Sequence, residues 1–260
     1  MNPQIGTSGF SYDDWKGTFY PERMDKSGML AFYCSVFNTV EVNVTYYTIP
    51  GYSAFEKMNA KTPDNFEFVV KVNQETTHRR KENRKSIAQL LESIKPLQES
   101  SKLGGLLAQF PYSFKNNEQN RKYILQTREY VNDVPFFVEF RNDGWDKDAL
   151  SGFLKANDIG YVNVDEPALD GLIPQQDWLT NKTGYVRFHG RNKKMWWDGQ
   201  GSQRYDYAYS SDELQEWLIR ISDILKKSYK AYIFFNNHPK GNAPQNAQTL
   251  TTLINQYISL

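Results

Sequence analysis

The chain contains 260 residues, of which 39% are hydrophobic and 23% are charged, and its formal net charge is +1. This balance is typical of a globular chain with a large buried core and excludes a disordered one, while the small net charge gives no general attraction to nucleic acid or to an acidic membrane. No stretch approaches the roughly 18 uninterrupted apolar residues of a membrane span, so no membrane contact is expected.

Cysteine content and the amino-terminal sequence bear on the cellular compartment. Cys34 is the only cysteine, which rules out an intrachain disulfide, and the first residues lack the basic and apolar regions of a secretory signal. A cytoplasmic location is therefore expected. Aromatic residues make up 15% of the chain, which favours an aromatic-rimmed surface or cleft.

Short runs rich in β-branched and aromatic residues recur along the chain and predict strands. Segments in which apolar residues recur at helical spacing separate most of them, the clearest at 29–37, 87–94, 214–221 and 250–257. Ser210, three residues before Glu213, predicts a capping box at the start of one helix. The predicted strands are 4–8, 39–45, 66–72, 104–110, 135–141, 160–165, 184–190 and 231–237.

Regular alternation of eight strands with helices predicts a parallel α/β fold, specifically a (β/α)8 TIM-type barrel formed by one domain over residues 1–260. The open, doubly wound sheet is the alternative architecture. After the sixth strand, Pro167 and Pro174 interrupt any helical pattern, so an irregular crossover is expected there. An aromatic-rich insertion at 191–209 follows the seventh strand and is long enough to form a lid or binding loop.

Motifs spread over nearly the whole chain are GTSGFSYDDWKGTFYP (6–21), EVNVTYYTIP (41–50), FEFVVKVNQETTH (66–78), LGGLLAQFPYSF (103–114), VEFRNDGW (138–145), YVRFHG (185–190) and FFNNHPKGNAPQNA (234–247). As a set they resemble the motifs of the YecE-like family, also called the domain of unknown function 72 family. Phe10 and Tyr46 stand where that family has Trp and Phe, which are exchanges between aromatic residues. The resemblance implies a TIM-type barrel and implies no established activity.

Polar residues share one face on four of the predicted strands. Alternate residues of a strand point to the same side, and helices cover the outside of such a barrel, so the polar faces are expected to point inward. Lys71 and Gln109 lie near the carboxyl ends of two further predicted strands, and Asn236 and Asn237 lie at the end of the last one. The polar sets are Glu41, Asn43 and Thr45; Glu139 and Arg141; Asn163 and Asp165; and Arg187 and His189.

These inward-facing charges outnumber what packing alone explains, because each buried ion costs several kcal/mol. They predict a polar functional site at the carboxyl ends of the strands, with a structural ion-pair network as the alternative. The candidate catalytic residues for proton transfer are Glu41, Glu139, Asp165 and His189. The candidate substrate-binding residues are Asn43, Tyr46, Lys71, Gln109, Arg141, Trp145, Arg187, Trp196, Asn236 and Asn237, of which Lys71, Arg141 and Arg187 are expected to hold an anion.

The loops after the last two strands also favour an anionic ligand, since this end of a TIM barrel commonly binds phosphate. Gly190, Arg191 and Lys193 follow the seventh predicted strand, and Lys240 with Gly241 precedes the last helix. The alternative interpretation is that Lys193 and Lys240 are ordinary solvated charges that do not bind an anion. A stacking platform for a sugar ring is expected from a set of tryptophans, namely Trp15, Trp145, Trp196 and Trp197.

No cofactor is expected, because dinucleotide, P-loop and HExxH motifs are all missing from the sequence. Glu139, Asp165 and His189 form an alternative set of ligands for a divalent metal ion. Arg141 and Arg187 on the same face would repel such a cation, so the sequence favours a site without metal.

Three functions remain open at this point. The first is an enzyme that acts on a small phosphorylated or carboxylated, sugar-like substrate by acid–base or hydrolytic chemistry. The second is a nucleic-acid binder or repair-type nuclease in which the aromatic insertion stacks bases and Lys193 and Lys240 contact phosphates. The third is a noncatalytic module that binds a ligand. The sequence does not determine the oligomeric state.

Overall fold

Parallel strands dominate residues 3–258, the part of the chain that the computed structural model describes. Each strand is hydrogen-bonded in parallel to its neighbours. The strands are β1 (Gln4–Thr7), β2 (Thr39–Val42), β3 (Glu67–Lys71), β4 (Leu103–Gln109), β5 (Phe136–Glu139), β6 (Ile159–Tyr161), β7 (Asn163–Asp165), β8 (Thr183–Phe188) and β9 (Lys230–Phe235).

The strands form two sheets that meet at both edges. Five strands follow the order β2-β3-β4-β5-β6, and four follow β1-β9-β8-β7. Only Val162 separates β6 from β7, and its N–H donates to the oxygen of Val138 at 3.0 Å, so one extended segment pairs with β5 and then with β8. At the opposite edge, the N–H of Gly9 donates to the oxygen of Glu41 at 2.8 Å, which joins β1 to β2. These junctions give the predicted TIM-type (β/α)8 architecture, with β6 and β7 together as the sixth strand.

Helices lie in the segments between the strands. The capping box is confirmed: the hydroxyl of Ser210 accepts from the N–H of Glu213 at 3.2 Å, and the Glu213 carboxylate accepts from the N–H of Ser210 at 2.9 Å. Residues 166–182 contain no helix, as predicted from the prolines. The helices are α1 (Lys26–Cys34), α2 (Val44–Tyr47), α3 (Tyr52–Ala60), α4 (Asn83–Ser93), α5 (Lys95–Glu99), α6 (Glu118–Val131), α7 (Asp148–Ala156), α8 (Ser211–Gln215), α9 (Leu218–Lys227) and α10 (Asn242–Tyr257).

Within the described residues, no helix combines the length and the apolar character needed to cross a membrane. Most helices bury one apolar side against the sheets, as Ile221, Ile224 and Leu225 of α9 do. The contacts that hold the barrel together are therefore mainly apolar.

Most strands end one or more residues before their predicted limit. The second strand stops at Val42, and the chain turns at once into α2, so the predicted extension of this strand to residue 45 is wrong. Thr45 supports the turn, because its hydroxyl donates to the oxygen of Lys71 at 2.5 Å. Arg141, His189 and Asn236 likewise lie just beyond strand ends, in the loops that surround the mouth of the barrel.

A layer of aromatic side chains fills the barrel below the polar residues. The ring centroids of Phe137 and Tyr185 are 5.0 Å apart, and those of Tyr185 and Tyr232 are 6.1 Å apart. All three side chains are buried. This packed layer closes the barrel from below, so a ligand can approach only from the carboxyl ends of the strands.

Candidate functional site

A cavity of about 780 Å³ opens at the carboxyl ends of the strands. Its lining holds the cationic side chains Lys71, Arg141 and Arg204 and no aspartate or glutamate. The charged side chains of the lining are therefore all cationic. The lining residues are Tyr12, Asn43, Tyr46, Tyr47, Lys71, Gln74, His78, Gln109, Pro111, Tyr112, Arg141, Leu172, Trp196, Trp197, Gly201, Ser202, Arg204, Tyr205, Asn236 and His238.

Beneath the cavity, Arg187 joins two buried glutamates. Its Nη2 donates to Oε1 of Glu41 and its Nη1 to Oε2 of Glu139, each at 2.6 Å. Tyr185 donates its hydroxyl to the other oxygen of Glu41 at 2.7 Å. The predicted convergence of these charges inside the barrel is thus confirmed. Arg187 is 1% exposed and contacts the carboxylates instead of the cavity, so its sequence-based assignment to anion binding stays a prediction that this geometry does not favour.

Arg141 extends the ion pairs from the floor to the cavity. Its Nη2 lies 2.8 Å from Oε1 of Glu139, and its Nη1 donates to Oε2 of Glu166 at 2.6 Å. Burial opposes the charge on Glu139, but Arg187 and Arg141 overcome this effect and hold the pKa of the carboxyl well below its usual range. For Glu166 burial prevails over the attraction of Arg141, and the nearby Glu139 adds to it, so the pKa rises to about 7.

The His189 ring is held neutral between these groups. Burial and the Arg141 cation lower its pKa to about 3. Its Nε2 lies 3.1 Å from Oε1 of Glu139, and its Nδ1 lies 3.1 Å from Nδ2 of Asn236. The Nη2 of Arg141 also lies 3.1 Å from Nε2, so the tautomer with the proton on Nδ1 accepts from Arg141, whereas the tautomer with the proton on Nε2 accepts from Asn236 at Nδ1. A ring of such low pKa is a weak base.

Asp165 does not face the barrel interior as the alternation of polar residues predicted. Its carboxylate accepts from Arg191, from the hydroxyl of Tyr209 at 2.6 Å, from Nε1 of Trp217 at 2.7 Å and from Gln175 at 2.5 Å. Trp217 directly precedes α9, so the side chain points to the helical layer. The prediction failed because buried hydrogen-bond partners outside the sheet made the outer face of this strand polar, and Glu166, one residue later, supplies the inward carboxylate.

Two of the predicted substrate-binding residues and one tryptophan of the predicted stacking platform lie in the core. Trp145 is fully buried, stacks on Phe140 with ring centroids 4.1 Å apart, and donates Nε1 to the oxygen of Phe114 at 2.6 Å. Asn237 is also fully buried and donates to the side chain of Asn246 at 2.8 Å. Trp15 is buried as well and donates to the oxygen of His238. The expectation that these three side chains line the site is wrong, because their polar atoms are used to fasten loops and α10.

Lys71 and Gln109 meet in the cavity wall. The Nζ of Lys71 donates to Oε1 of Gln109 at 3.0 Å and lies 4.7 Å from the centroid of the Tyr46 ring. The side-chain amide of Gln109 donates to the oxygen of Phe110, which orients Oε1 toward the lysine. Burial, followed by the charge of Arg187, lowers the pKa of Lys71 to about 8.

Other lining residues carry polar atoms without a partner in the described part of the chain. The Oδ1 of Asn43 and the Nδ1 of His238 are buried and accept or donate no hydrogen bond. The ring of His238 stacks on Tyr12 at 4.5 Å. Polar atoms of this kind facing a cavity are places where a ligand or water can form hydrogen bonds.

The remaining lining residues differ in how far the sequence indicated them. Trp196 is 2% exposed and its ring lies 5.6 Å from the Arg141 guanidinium carbon, so the predicted insertion does cover the mouth. His78 also lines the cavity, from a π-helical turn, and burial lowers its pKa to about 4. Sequence reasoning missed Tyr12, Arg204 and Tyr205, which come from loops where strand alternation gives no signal.

Two of the three basic residues in the loops expected to bind an anion are paired with carboxylates, whereas Lys193 is exposed and has no carboxylate partner among residues 3–258. Arg191 contacts Asp165 at 2.8 Å and Glu216 at 3.0 Å. The backbone N–H of Lys240 donates to Asp14 at 2.8 Å, and its side chain pairs with Asp206 at 2.6 Å. Arg191 and Lys240 are therefore not free to hold an anion.

Residues 3–258 contain no cluster of three or more His, Cys, Asp or Glu side chains arranged to hold a metal ion. In particular, Asp165 faces the helical layer while Glu139 and His189 face the interior. The alternative metal-binding set from the sequence is therefore not brought together.

Comparison with known proteins places the chain in a family. The model of the family described as "Protein of unknown function DUF72" matches residues 4–259. The UPF0759 protein YunF of Bacillus subtilis is 31% identical and is matched over 96% of this chain and 94% of its own length. A DUF72 family structure from Thermotoga maritima superposes with a TM-score of 0.91 at 38% identity, over 98% of this chain and all of that one. Another, from Enterococcus faecalis, gives a TM-score of 0.88 at 27% identity, over all of this chain and 97% of that one. The chain therefore belongs to the DUF72 family, the YecE-like family that its motifs resemble.

Proposed function

We propose that this protein is an enzyme that binds a small anionic, sugar-like metabolite in the cavity and transforms it by acid–base or hydrolytic chemistry. The observation that carries the proposal is the charge of the lining: Lys71, Arg141 and Arg204 face the cavity, and the nearby glutamates lie beneath it. A phosphate or carboxylate group would be attracted to these cations.

Unpartnered polar atoms and aromatic rings support the sugar-like part of the proposal. A ligand hydroxyl could donate to Oδ1 of Asn43 and another could bond to Nδ1 of His238. The rings of Tyr46, Tyr205 and Trp196 offer apolar surfaces against which the carbon skeleton can pack. Together these groups suit a ligand with one charged end and several hydroxyls.

The candidate catalytic residues divide by their surroundings. Glu139 is held as an anion by arginines, so in this proposal it fixes Arg141 and Arg187, and Glu41 does the same for Arg187. Lys71, with a pKa of about 8, and Glu166, with a pKa of about 7, are better matched to proton transfer near neutral pH. Glu166 contacts Arg141 and lies outside the cavity lining, so it would exchange a proton with the ligand through a bridging water.

The test is a binding and turnover screen with sugar phosphates, sugar acids and the matching uncharged sugars, read by calorimetry. We expect the anionic members to bind and the uncharged members to bind at least about tenfold more weakly, which corresponds to about 1.4 kcal/mol. Arg204→Gln should reduce anion affinity, because this arginine lines the cavity. Lys193→Gln is the matched control, since Lys193 is exposed and lies outside the lining.

Equal affinity for charged and uncharged sugars, or an equal loss in the two variants, would refute the anion site. Binding without any turnover, unchanged by Lys71→Met and Glu166→Gln, would instead support the noncatalytic module. The nucleic-acid alternative has less support, because Lys240 is paired with Asp206. It predicts affinity for single strands that falls steeply with salt, and the same calorimetry detects this.

A further inference from the structure

The amine of Lys71 is placed in an unusual setting for a lysine. In residues 3–258 no carboxylate lies within 4.0 Å of its Nζ, and its hydrogen-bond partner is the neutral amide oxygen of Gln109. The ring of Tyr46 covers another side of the amine. A neutral amide accepts from an amine or an ammonium alike, whereas a carboxylate would stabilise the ammonium.

The charged groups around Lys71 favour its neutral form. Arg187 and Arg141 repel the ammonium, and burial removes water from it. Glu139 and Glu41 attract it, but each of these carboxylates is already paired with arginine. With a pKa of about 8, roughly a tenth of Lys71 is a free amine at pH 7, compared with less than about 0.1% for an ordinary lysine.

We propose that Lys71 is a covalent residue that forms an imine with the carbonyl carbon of an anionic ligand, so that the cavity takes a 2-oxo acid or a ketose phosphate. This inference rests on the proposed function, because it assigns the class of substrate to the same cavity. Arg141 and Arg204 would bind the anionic group, and Asn43 would accept from a hydroxyl.

The chemistry balances without a redox partner. The lone pair of Nζ attacks the carbonyl carbon, and one proton moves from the nitrogen to the carbonyl oxygen to give a carbinolamine. That hydroxyl then leaves as water with the second proton of the amine, and a carbon–nitrogen double bond forms. The imine nitrogen, when protonated, withdraws electrons from the adjacent carbon–carbon or carbon–hydrogen bond. Gln109 is a positioning residue, since it aims the amine and holds no proton in the reaction.

Borohydride trapping tests the proposal directly. The full-length protein is incubated with pyruvate or with dihydroxyacetone phosphate, reduced with borohydride, and digested for peptide mass spectrometry. Hydride adds to the imine carbon, so the peptide that contains Lys71 should gain the mass of the ligand less one oxygen atom. Lys71→Arg should abolish this adduct, because guanidinium forms no stable imine.

Lys115→Arg is the matched control. Lys115 also lies over a tyrosine ring, with Nζ 3.9 Å from the centroid of Tyr112, but it is exposed and outside the lining. We expect this variant to trap the ligand as the unaltered protein does. Adducts spread equally over both lysines would overturn the proposal, because they would reflect the general reactivity of exposed amines.

Gln109→Glu tests the positioning role through the pH dependence of trapping, which would not change if Gln109 were merely structural. The carboxylate should pair with Lys71 and raise its pKa, so the pH at which trapping is half-maximal should rise from about 8 by at least one unit. An unchanged pH profile would contradict the positioning role of Gln109.

Binding of lactate and glycerol 3-phosphate separates the two proposals, because these analogues have the same charge and no carbonyl group. If they bind and no member of a panel of 2-oxo acids and ketose phosphates is trapped on Lys71, the imine is refuted and the anionic site stands. If neither the analogues nor the carbonyl compounds bind, both proposals fail.

Discussion

The floor of the barrel and the wall of the cavity use similar residue types in opposite ways. In the floor, Arg187 has both terminal nitrogens on carboxylates, and the charges are paired and buried. In the wall, Lys71 and Arg204 have no carboxylate partner among residues 3–258, and Oδ1 of Asn43 has no partner at all. The number of charges is therefore a poor guide to a binding site, whereas unused bonding capacity facing open space is a better one.

The difference implies that substitutions in the two regions should separate stability from ligand binding. Removing one partner of a buried ion pair leaves an uncompensated charge and destabilises the fold. Removing a wall group whose polar atom has no partner costs little.

Arg187→Met should have the largest effect. It leaves Glu41 and Glu139 buried without their shared cation, and we expect a loss of about 3 to 5 kcal/mol in the free energy of unfolding, measured by urea denaturation. Adding Glu41→Gln and Glu139→Gln should restore part of the loss, because the buried charges are then removed together. Arg23→Met, at an exposed arginine, is the control. A loss no greater than in that control would show that the floor is not held by these ion pairs.

Asp165→Asn should come next, with a loss of about 2 to 4 kcal/mol. The amide nitrogen would face the donors Tyr209, Trp217 and Arg191 in place of an oxygen. Because Asp165 faces the helical layer, folded Asp165→Asn protein should keep the ligand affinity of the unaltered protein, measured by calorimetry. Selective loss of affinity with normal stability would contradict this placement.

Glu166 should contribute a smaller, pH-dependent effect. Its folded pKa of about 7 lies above the ordinary value of 4.5, so the folded state binds the proton more tightly and stability falls as pH rises between these values. Relative to Glu166→Gln, the unaltered protein should lose on the order of 1 to 3 kcal/mol from pH 4.5 to pH 7.5. Parallel urea denaturation curves at several pH values would measure it, and a difference between the two proteins that stays constant with pH would refute the raised pKa.

Asn43→Ala should have the smallest effect on stability, within about 0.5 kcal/mol, since its Oδ1 makes no hydrogen bond. In the proposed site it should nevertheless weaken binding of a hydroxyl-bearing anion, about three- to tenfold for one lost hydrogen bond. Urea denaturation of the unaltered and variant proteins measures the change in stability, and titration calorimetry measures the change in affinity. Unaltered affinity would remove Asn43 from the site.

Much of the candidate site could be predicted from local patterns. Alternation of polar and apolar residues on β2, β5 and β8 correctly placed Glu41, Glu139 and Arg187 inside the barrel. The same rule failed at Asp165, because it assumes that a helical layer is apolar, and here Tyr209 and Trp217 supply polar atoms to that layer. The prediction that Trp145 binds substrate was wrong for a related reason, because an aromatic residue after a strand can pack under a loop as readily as it can line a cleft.

By itself, the sequence determined the succession of strands and helices, the capping box at Ser210 and the TIM-type barrel, because these depend on residues a few positions apart and on the burial of apolar faces. Only the tertiary structure decided which charges are paired and which face open space. Glu41 and Arg187 are 146 positions apart, and whether their charges cancel depends on contacts of a few ångströms that no local pattern encodes. That cancellation separates the supporting floor from the cavity wall in which Lys71 lies.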